Sequence, residues 1–169
     1  TAFSGQANPN ACDQDQGSDP IVGADGTVYV TFGNGNTPTP GVNQVLIVSC
    51  PATKNCTNPA SWTAPVKVAN LFDFQPVGPD ANSGCPAGRQ CLPPNGYRLD
   101  DFVEISASVD KSGTLFVTWA DGRNLKPNCT GNAAGATPPC DNDVFYKYSV
   151  DRGATWSAAK KLTPAGSAQ

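Results

Sequence analysis

Gly26-Thr27-Val28-Tyr29-Val30-Thr31-Phe32 and Gly113-Thr114-Leu115-Phe116-Val117-Thr118-Trp119 are two versions of one pattern, 87 positions apart. Each is a run of β-branched and aromatic residues that follows a tight-turn signal, Asp25-Gly26 in one copy and Asp110-Lys111-Ser112-Gly113 in the other. That combination predicts the returning strand of a hairpin. The outgoing strands precede it, at Ile21-Val22 and at Phe102 to Val109 (FVEISASV). Further on, Ser61 to Val68 (SWTAPVKV) matches Thr155 to Leu162 (TWSAAKKL) at an offset of 94, so a shift of seven falls in the loops and turns between. Gln44–Ser49 and Asp143–Val150 supply a third strand to each unit, and Trp62 to Ala69 and Trp156 to Leu162 a fourth. Helical periodicity is nearly absent, whereas short alternating runs bounded by Gly, Asn and Asp recur. The chain therefore reads as all-β, with one four-stranded antiparallel unit repeated.

Repetition of four-stranded sheets is the blade pattern of a β-propeller. In the second unit the turn between strands three and four reads Ser149-Val150-Asp151-Arg152-Gly153-Ala154-Thr155-Trp156, that is S-x-D-x-G-x-T-W. This resembles the Asp-box of the bacterial-neuraminidase (BNR) repeat family. Phe116-Val117-Thr118-Trp119-Ala120-Asp121-Gly122-Arg123 likewise resembles a VxWxDxR strand ending common in such repeats. The resemblance implies two blades of a sialidase-like propeller whose whole ring has six or seven. Its blades would lie at 13–70 and 100–164, separated by an insertion at 71–99. It also implies a structural role for Ser149, Asp151, Gly153, Thr155 and Trp156: the carboxylate takes hydrogen bonds within the turn, Gly permits positive φ, and the indole packs below. The first unit departs from the motif and has Cys50-Pro51-Ala52-Thr53-Lys54-Asn55-Cys56 in its place, where a Cys50–Cys56 staple would substitute for the box.

Composition narrows the chemistry. The 169 residues contain no His, which excludes Ser-His-Asp and Cys-His nucleophile systems and HExxH zinc sites within this chain. A net charge of −3, with the eleven basic residues mostly isolated, argues against a nucleic-acid partner. No apolar run approaches the ~20 residues of a membrane-spanning helix. Seventeen Gly and sixteen Pro fall mainly in turns and long loops. There is no Met, and two blades do not close a ring, so the chain is expected to be an excerpt of a longer one or to assemble from several copies.

Seven cysteines point to an oxidising compartment, hence to a secreted or cell-surface protein. Local spacing favours the pairs Cys50/Cys56, Cys85/Cys91 and Cys129/Cys140, although six cysteines allow 15 connectivities. Cys12 is left over: either its partner lies in chain beyond these residues, or it is a free or intermolecular thiol. Asn55-Cys56-Thr57 and Asn128-Cys129-Thr130 also fit the glycosylation pattern.

Antiparallel order places the hairpin turn and the Asp-box at one end of the units. The long segments 33–43, 71–100 and 121–142 lie at the other end, where recognition loops would sit. Candidate chemistry there consists of Glu104 (the only Glu), Asp101 beside Asp100, Tyr97, Arg98 and Arg123. The resemblance brings with it a sialidase palette of Arg, Tyr and carboxylates, but no family catalytic motif can be matched residue by residue. Asp13, Asp15 and Asp19 alternate as Ca²⁺ ligands do but lack a bidentate Glu, which makes them weak calcium candidates; no other cofactor is implied. The expected role is a non-catalytic scaffold, adhesion or glycan-recognition segment, with a glycan or cell-surface ligand, further blades or other copies as partners. The alternatives are a fragment of a sialidase-like exo-glycosidase and a self-assembling extracellular structural protein.

Overall fold

The computed structural model describes residues 15–34, 43–72, 91–92, 97–98, 105–124 and 143–164. The strands are β1 (Asp15–Val22), β2 (Val28–Asn34), β3 (Asn43–Cys50), β4 (Val66–Leu71), β5 (Cys91–Leu92), β6 (Tyr97–Arg98), β7 (Ser106–Val109), β8 (Leu115–Asp121), β9 (Asp143–Ser149) and β10 (Lys160–Lys161). They form two four-stranded sheets, β1-β2-β3-β4 and β7-β8-β9-β10, and a small β5-β6 ladder. All pairings are antiparallel. The only helical element among the described residues is a 3₁₀ turn at Pro59–Ser61, and no described helix is long and apolar enough to cross a membrane.

The repeat holds at the level of individual hydrogen bonds. In the first hairpin the Gly23 and Gly26 amides donate to Thr27 O (2.9 Å) and Gly23 O (2.8 Å). In the second, the Asp110 and Gly113 amides donate to Thr114 O (3.0 Å) and Asp110 O (3.0 Å), again 87 positions on. Gly26 and Gly113 have φ of 79° and 88°, the left-handed conformation that the turn requires and that a Cβ disfavours. Strand register resolves the shift of seven. Tyr29 pairs with Ser49 and Phe116 with Tyr148, so the third strands are offset by 99 (148 − 49), twelve more than the second. The turn after the third strand then shortens by five, which returns the offset to 94 at Trp62 and Trp156.

Strand ends differ from the sequence reading in three places. β1 starts at Asp15, earlier than expected, with a bulge between Gln16 and Asp19 where Gly17 has φ 67°. β4 begins only at Val66, because Pro65 has no N–H to give to a ladder. β10 is cut to two residues because Trp156 to Ser157 are drawn into the turn, where the Ser157 amide donates to Tyr148 O (2.9 Å). The expected residues 102–104 of the outgoing strand lie outside the described residues. The β5-β6 ladder has no counterpart in the sequence reading.

One core joins the two sheets. Tyr29, Val45, Ile47, Val68 and Leu71 from the first pack with Ile105, Leu115, Val117, Trp119 and Phe145 from the second. Trp119 and Leu115 are fully buried, and Trp119 stacks on Phe145 with ring centroids 6.1 Å apart. The two packed faces are not equivalent in the repeat. The first sheet contributes Tyr29, whose counterpart in the second is Phe116, a residue of the opposite face. The second sheet contributes Leu115, Val117 and Trp119, whose counterparts Val28, Val30 and Phe32 sit on the far side of the first sheet and are only partly buried. Packing is therefore head to tail.

At the edge of the interface the Asp19 carboxylate of β1 accepts from the Ala107 amide (2.7 Å) and the Ser106 hydroxyl (3.2 Å) of β7, tying the two first strands together. Truncating the central side chain of the shared core should separate the sheets. Trp119→Ala removes a fully buried indole and the donor to Asp121, and should lower unfolding free energy by about 3–5 kcal/mol. Urea unfolding followed by circular dichroism measures it, and a loss below ~1 kcal/mol would mean that the sheets are stable separately.

Candidate functional site

Antiparallel order gives the pair of sheets two unlike ends. At one end lie the short turns. Here the Ser149 hydroxyl donates to Asp151 Oδ1 (2.7 Å) and accepts from the Gly153 amide (2.8 Å). Asp151 accepts further from the Thr155 amide (2.8 Å) and the Thr155 hydroxyl, and the Trp156 indole N–H donates to Gly153 O (3.1 Å). Arg152 and Gly153 both take positive φ, 60° and 88°. A Cβ on Gly153 would meet Leu115 at 3.4 Å in van der Waals contact, so it is the positive φ that asks for glycine. The hydrogen bonds from Thr155 and Ser149 hold the Asp151 carboxyl at about 2, far from the range of a general acid near neutral pH.

The first sheet reaches the same geometry by other means. Cys50 occupies the position equivalent to Ser149 and is bonded to Cys56, with Cα atoms 5.9 Å apart. The Trp62 indole N–H donates to Cys56 O (3.0 Å), as that of Trp156 does to Gly153 O. The Thr63 amide donates to Ser49 O and the Ser49 amide to the Thr63 hydroxyl, and Ser157 and Tyr148 repeat this pair of bonds. The Ser149–Trp156 turn is linked to the β1–β2 hairpin turn by an exposed ion pair, Arg152 to Asp25 at 3.2 Å. Asp25 is held below the usual carboxylate range, first by the Thr27 amide and hydroxyl, and Asp110 by Ser112 and Thr114.

The other end carries the strand termini 34, 43, 71, 121 and 143. Asp121 is fully buried and accepts from the Trp119 indole N–H (2.9 Å), the Arg123 amide (3.1 Å) and the Arg123 guanidinium. Arg123 also donates to Asn70 O (2.9 Å) and lies over the rings of Phe145 (4.3 Å), Phe72 (5.1 Å) and Trp119 (5.5 Å). With the Gly122 amide on Phe72 O (2.7 Å), this clamp fastens the last strand of the first sheet onto the second sheet. Asp143 accepts from Lys161 (2.6 Å), the Thr163 hydroxyl (2.7 Å) and the Asn124 amide (2.8 Å). Burial raises its pKa, but these bonds outweigh burial and leave it lowered.

Of the predicted site residues, Arg123 is thus committed to the clamp, and Ser149, Asp151, Gly153, Thr155 and Trp156 are joined by hydrogen bonds within one turn. Asp19 is spent on the inter-sheet bond to β7. Asp15 starts β1. Tyr97 and Arg98 form β6, opposite Leu92 and Cys91. Glu104, Asp101, Asp13, Cys12, Cys85, Cys129 and Cys140 lie outside the described residues. No group of three or more potential metal ligands occurs among the described residues.

Lys147 was missed. It is half-buried on the packed face of β9, and its ammonium donates to Val68 O of β4 (2.8 Å). Burial, followed by the charges of Arg123 and Lys67, pulls its pKa below the usual lysine range. Its signal in the sequence was a Lys in phase with Phe145 at an inward position of DVFYKYSV. No protein-family model matches this chain, and no curated protein matches it.

Two outcomes follow for the turn end. The native Asp151 pKa of about 2 lies below the ordinary ~3.9, so the unfolded chain takes up that proton first. The stability it contributes is complete above pH ~4 and lost as pH falls towards 2. The melting-temperature gap between the native protein and Asp151→Asn should be widest at pH 5–7 and close by about pH 2, as thermal melts across that range would measure. A gap that stays constant with pH would show that the carboxylate charge contributes nothing. For the stapled turn, the Cys50→Ala/Cys56→Ala double variant should lose about 2 kcal/mol in urea unfolding, as expected for a short closed loop.

Proposed function

We propose that this chain contributes two neighbouring blades to a secreted, sialidase-like Asp-box β-propeller that serves as a non-catalytic scaffold for adhesion or glycan recognition. The observation that carries this reading is the head-to-tail packing of repeated sheets. A heterologous contact between equivalent units leaves one used and one unused face on each, and repetition of the contact closes a ring or extends a filament. The unused face of the second sheet carries Phe116 and Tyr146, counterparts of Tyr29 and Ile47, which the first sheet buries in the core, and Tyr148 lies beside Phe116. The Asp-box and its disulfide-stapled equivalent at one end are what rigid blades of this kind need, and they leave the loop end for recognition. The Cys50–Cys56 bond supports an extracellular setting.

A non-catalytic role is supported by where the charged groups go. Arg123 is held by Asp121 and Asn70, Arg152 pairs with Asp25, and Asp151 is tied into its turn. Each has a structural assignment that a substrate would have to break.

Sedimentation velocity over a concentration series tests the blade reading. The chain should self-associate through its unused sheet faces, and Phe116→Lys should suppress this while leaving the circular dichroism spectrum unchanged. A strictly monomeric chain would refute the reading. Turnover of a fluorogenic sialoside by the same preparation would replace the scaffold role with the exo-glycosidase alternative.

A further inference from the structure

We infer that the cleft between β4 and the Asp-box turn binds an oxyanion group, the carboxylate, sulfate or phosphate of a ligand. The cleft is lined by Lys67, Asn70, Lys147, Thr155 and Trp156, over a floor of Val68 and Ala69. Lys67 and Lys147 line it from different sheets, so the site exists only when the sheets are packed.

Charge accounting singles out this place. Three described acids pair with cations, Asp121 with Arg123, Asp143 with Lys161 and Asp25 with Arg152, and Asp19 is taken by the Ala107 amide and the Ser106 hydroxyl. Asp151, bonded to the lining residue Thr155, has its oxygens taken by Ser149 and Thr155. Among the described residues neither Lys67 nor Lys147 has a carboxylate partner. An ammonium carries three N–H donors. Lys147 gives one to Val68 O, and Lys67 gives one to Asn70 Oδ1 (3.4 Å). Among the described residues no further acceptor takes the remaining ammonium donors, and both lysines line the cleft with Asn70 and the Trp156 indole. A half-buried cation crowded by Arg123 and Lys67 is held at an electrostatic cost that an anion at this spot relieves. Charge-assisted bonds from two ammonium groups are among the stronger polar contacts available to an oxyanion.

Titration with sodium sulfate, sodium phosphate and sodium acetate in separate arms, against sodium chloride at matched ionic strength, reads the site through Trp156 and Lys147 NMR shifts. Saturable shifts confined to the lining residues are expected, and the three arms rank tetrahedral against planar oxyanions. Lys147→Gln should weaken binding at least tenfold, and the exposed Lys67→Gln several-fold, with unchanged circular dichroism. Should Lys147→Gln not fold, Lys67→Gln and Asn70→Ala decide the matter alone. Shifts that never saturate, that chloride reproduces, or that survive in the Lys67→Gln variant at full strength overturn the site. Self-association does not enter this readout, so the site stands or falls separately from the blade assignment.

Discussion

The structure depends on strands that are apolar on both sides. In a half-exposed hairpin only every second residue is hydrophobic, but Val28, Tyr29 and Val30, or Leu115, Phe116 and Val117, leave no polar side to face water. Such strands are stable only when sandwiched. Here each sheet satisfies that demand on one face by meeting its neighbour, with Ile47 of the first sheet and Leu115 of the second both in the shared core. The contact uses opposite faces of equivalent units, so it cannot satisfy both sheets at once. Whatever lies next to this pair inherits the same requirement.

Holding two sheets in one relative position needs more than a greasy interface, because apolar contacts are non-directional. Three polar ties supply direction here. Asp19 joins the first strands at one edge, Lys147 joins β9 to β4 near the other, and Arg123 clamps the end of β4. All three use half-buried charged groups hydrogen-bonded to neutral partners in the other sheet, so sliding by one residue leaves a charged group without its hydrogen bond, a penalty of roughly 1–3 kcal/mol or more. The turns solve a different problem. A carboxylate accepting three hydrogen bonds in one unit and a disulfide in the other put a Trp at the same place, with its N–H on the same kind of carbonyl. The equivalence of covalent and polar solutions shows that the position of the indole, not the chemistry of the turn, is what the fold requires.

How much of this was legible depended on whether the determining interactions were local. The hairpins, the hydrogen-bonded turn at 149–156 and the Cys50–Cys56 bond are set by residues within a dozen positions of one another, and local pattern points to them. The split of the seven-residue shift into twelve and minus five was not legible, since it depends on which residues of β3 and β9 face β2 and β8. The clamp was half-visible. The VxWxDxR ending flagged Asp121 and Arg123, but the roles of Asn70 and Phe72, some fifty residues away, come only from the packing. Arg123 looked free as a sequence candidate because its carboxylate is two residues distant and its aromatic cage is not contiguous. Asp19 looked like a loop ligand because a strand containing Gly17 and Pro20 is hard to read as one; the bulge lets β1 accommodate both.

Lys147 shows what such reading omits in principle. A lysine within an apolar strand is ordinarily assigned to the solvent face, and its neighbours Tyr146 and Tyr148 do nothing to correct that. Register places it instead opposite Val117, on the packed side. A sequence that fills this position with Lys, where the equivalent of the first sheet has Val48, gives up apolar contact in the core. One carbonyl bond to Val68 is a poor exchange for burying an ammonium, because a neutral donor or a methionine would cost less desolvation. What a cation offers there and a neutral side chain does not is attraction for negative charge from outside the chain. The physical cost of Lys147 is thus itself the argument that the cleft between the two sheets is a site and not merely a seam.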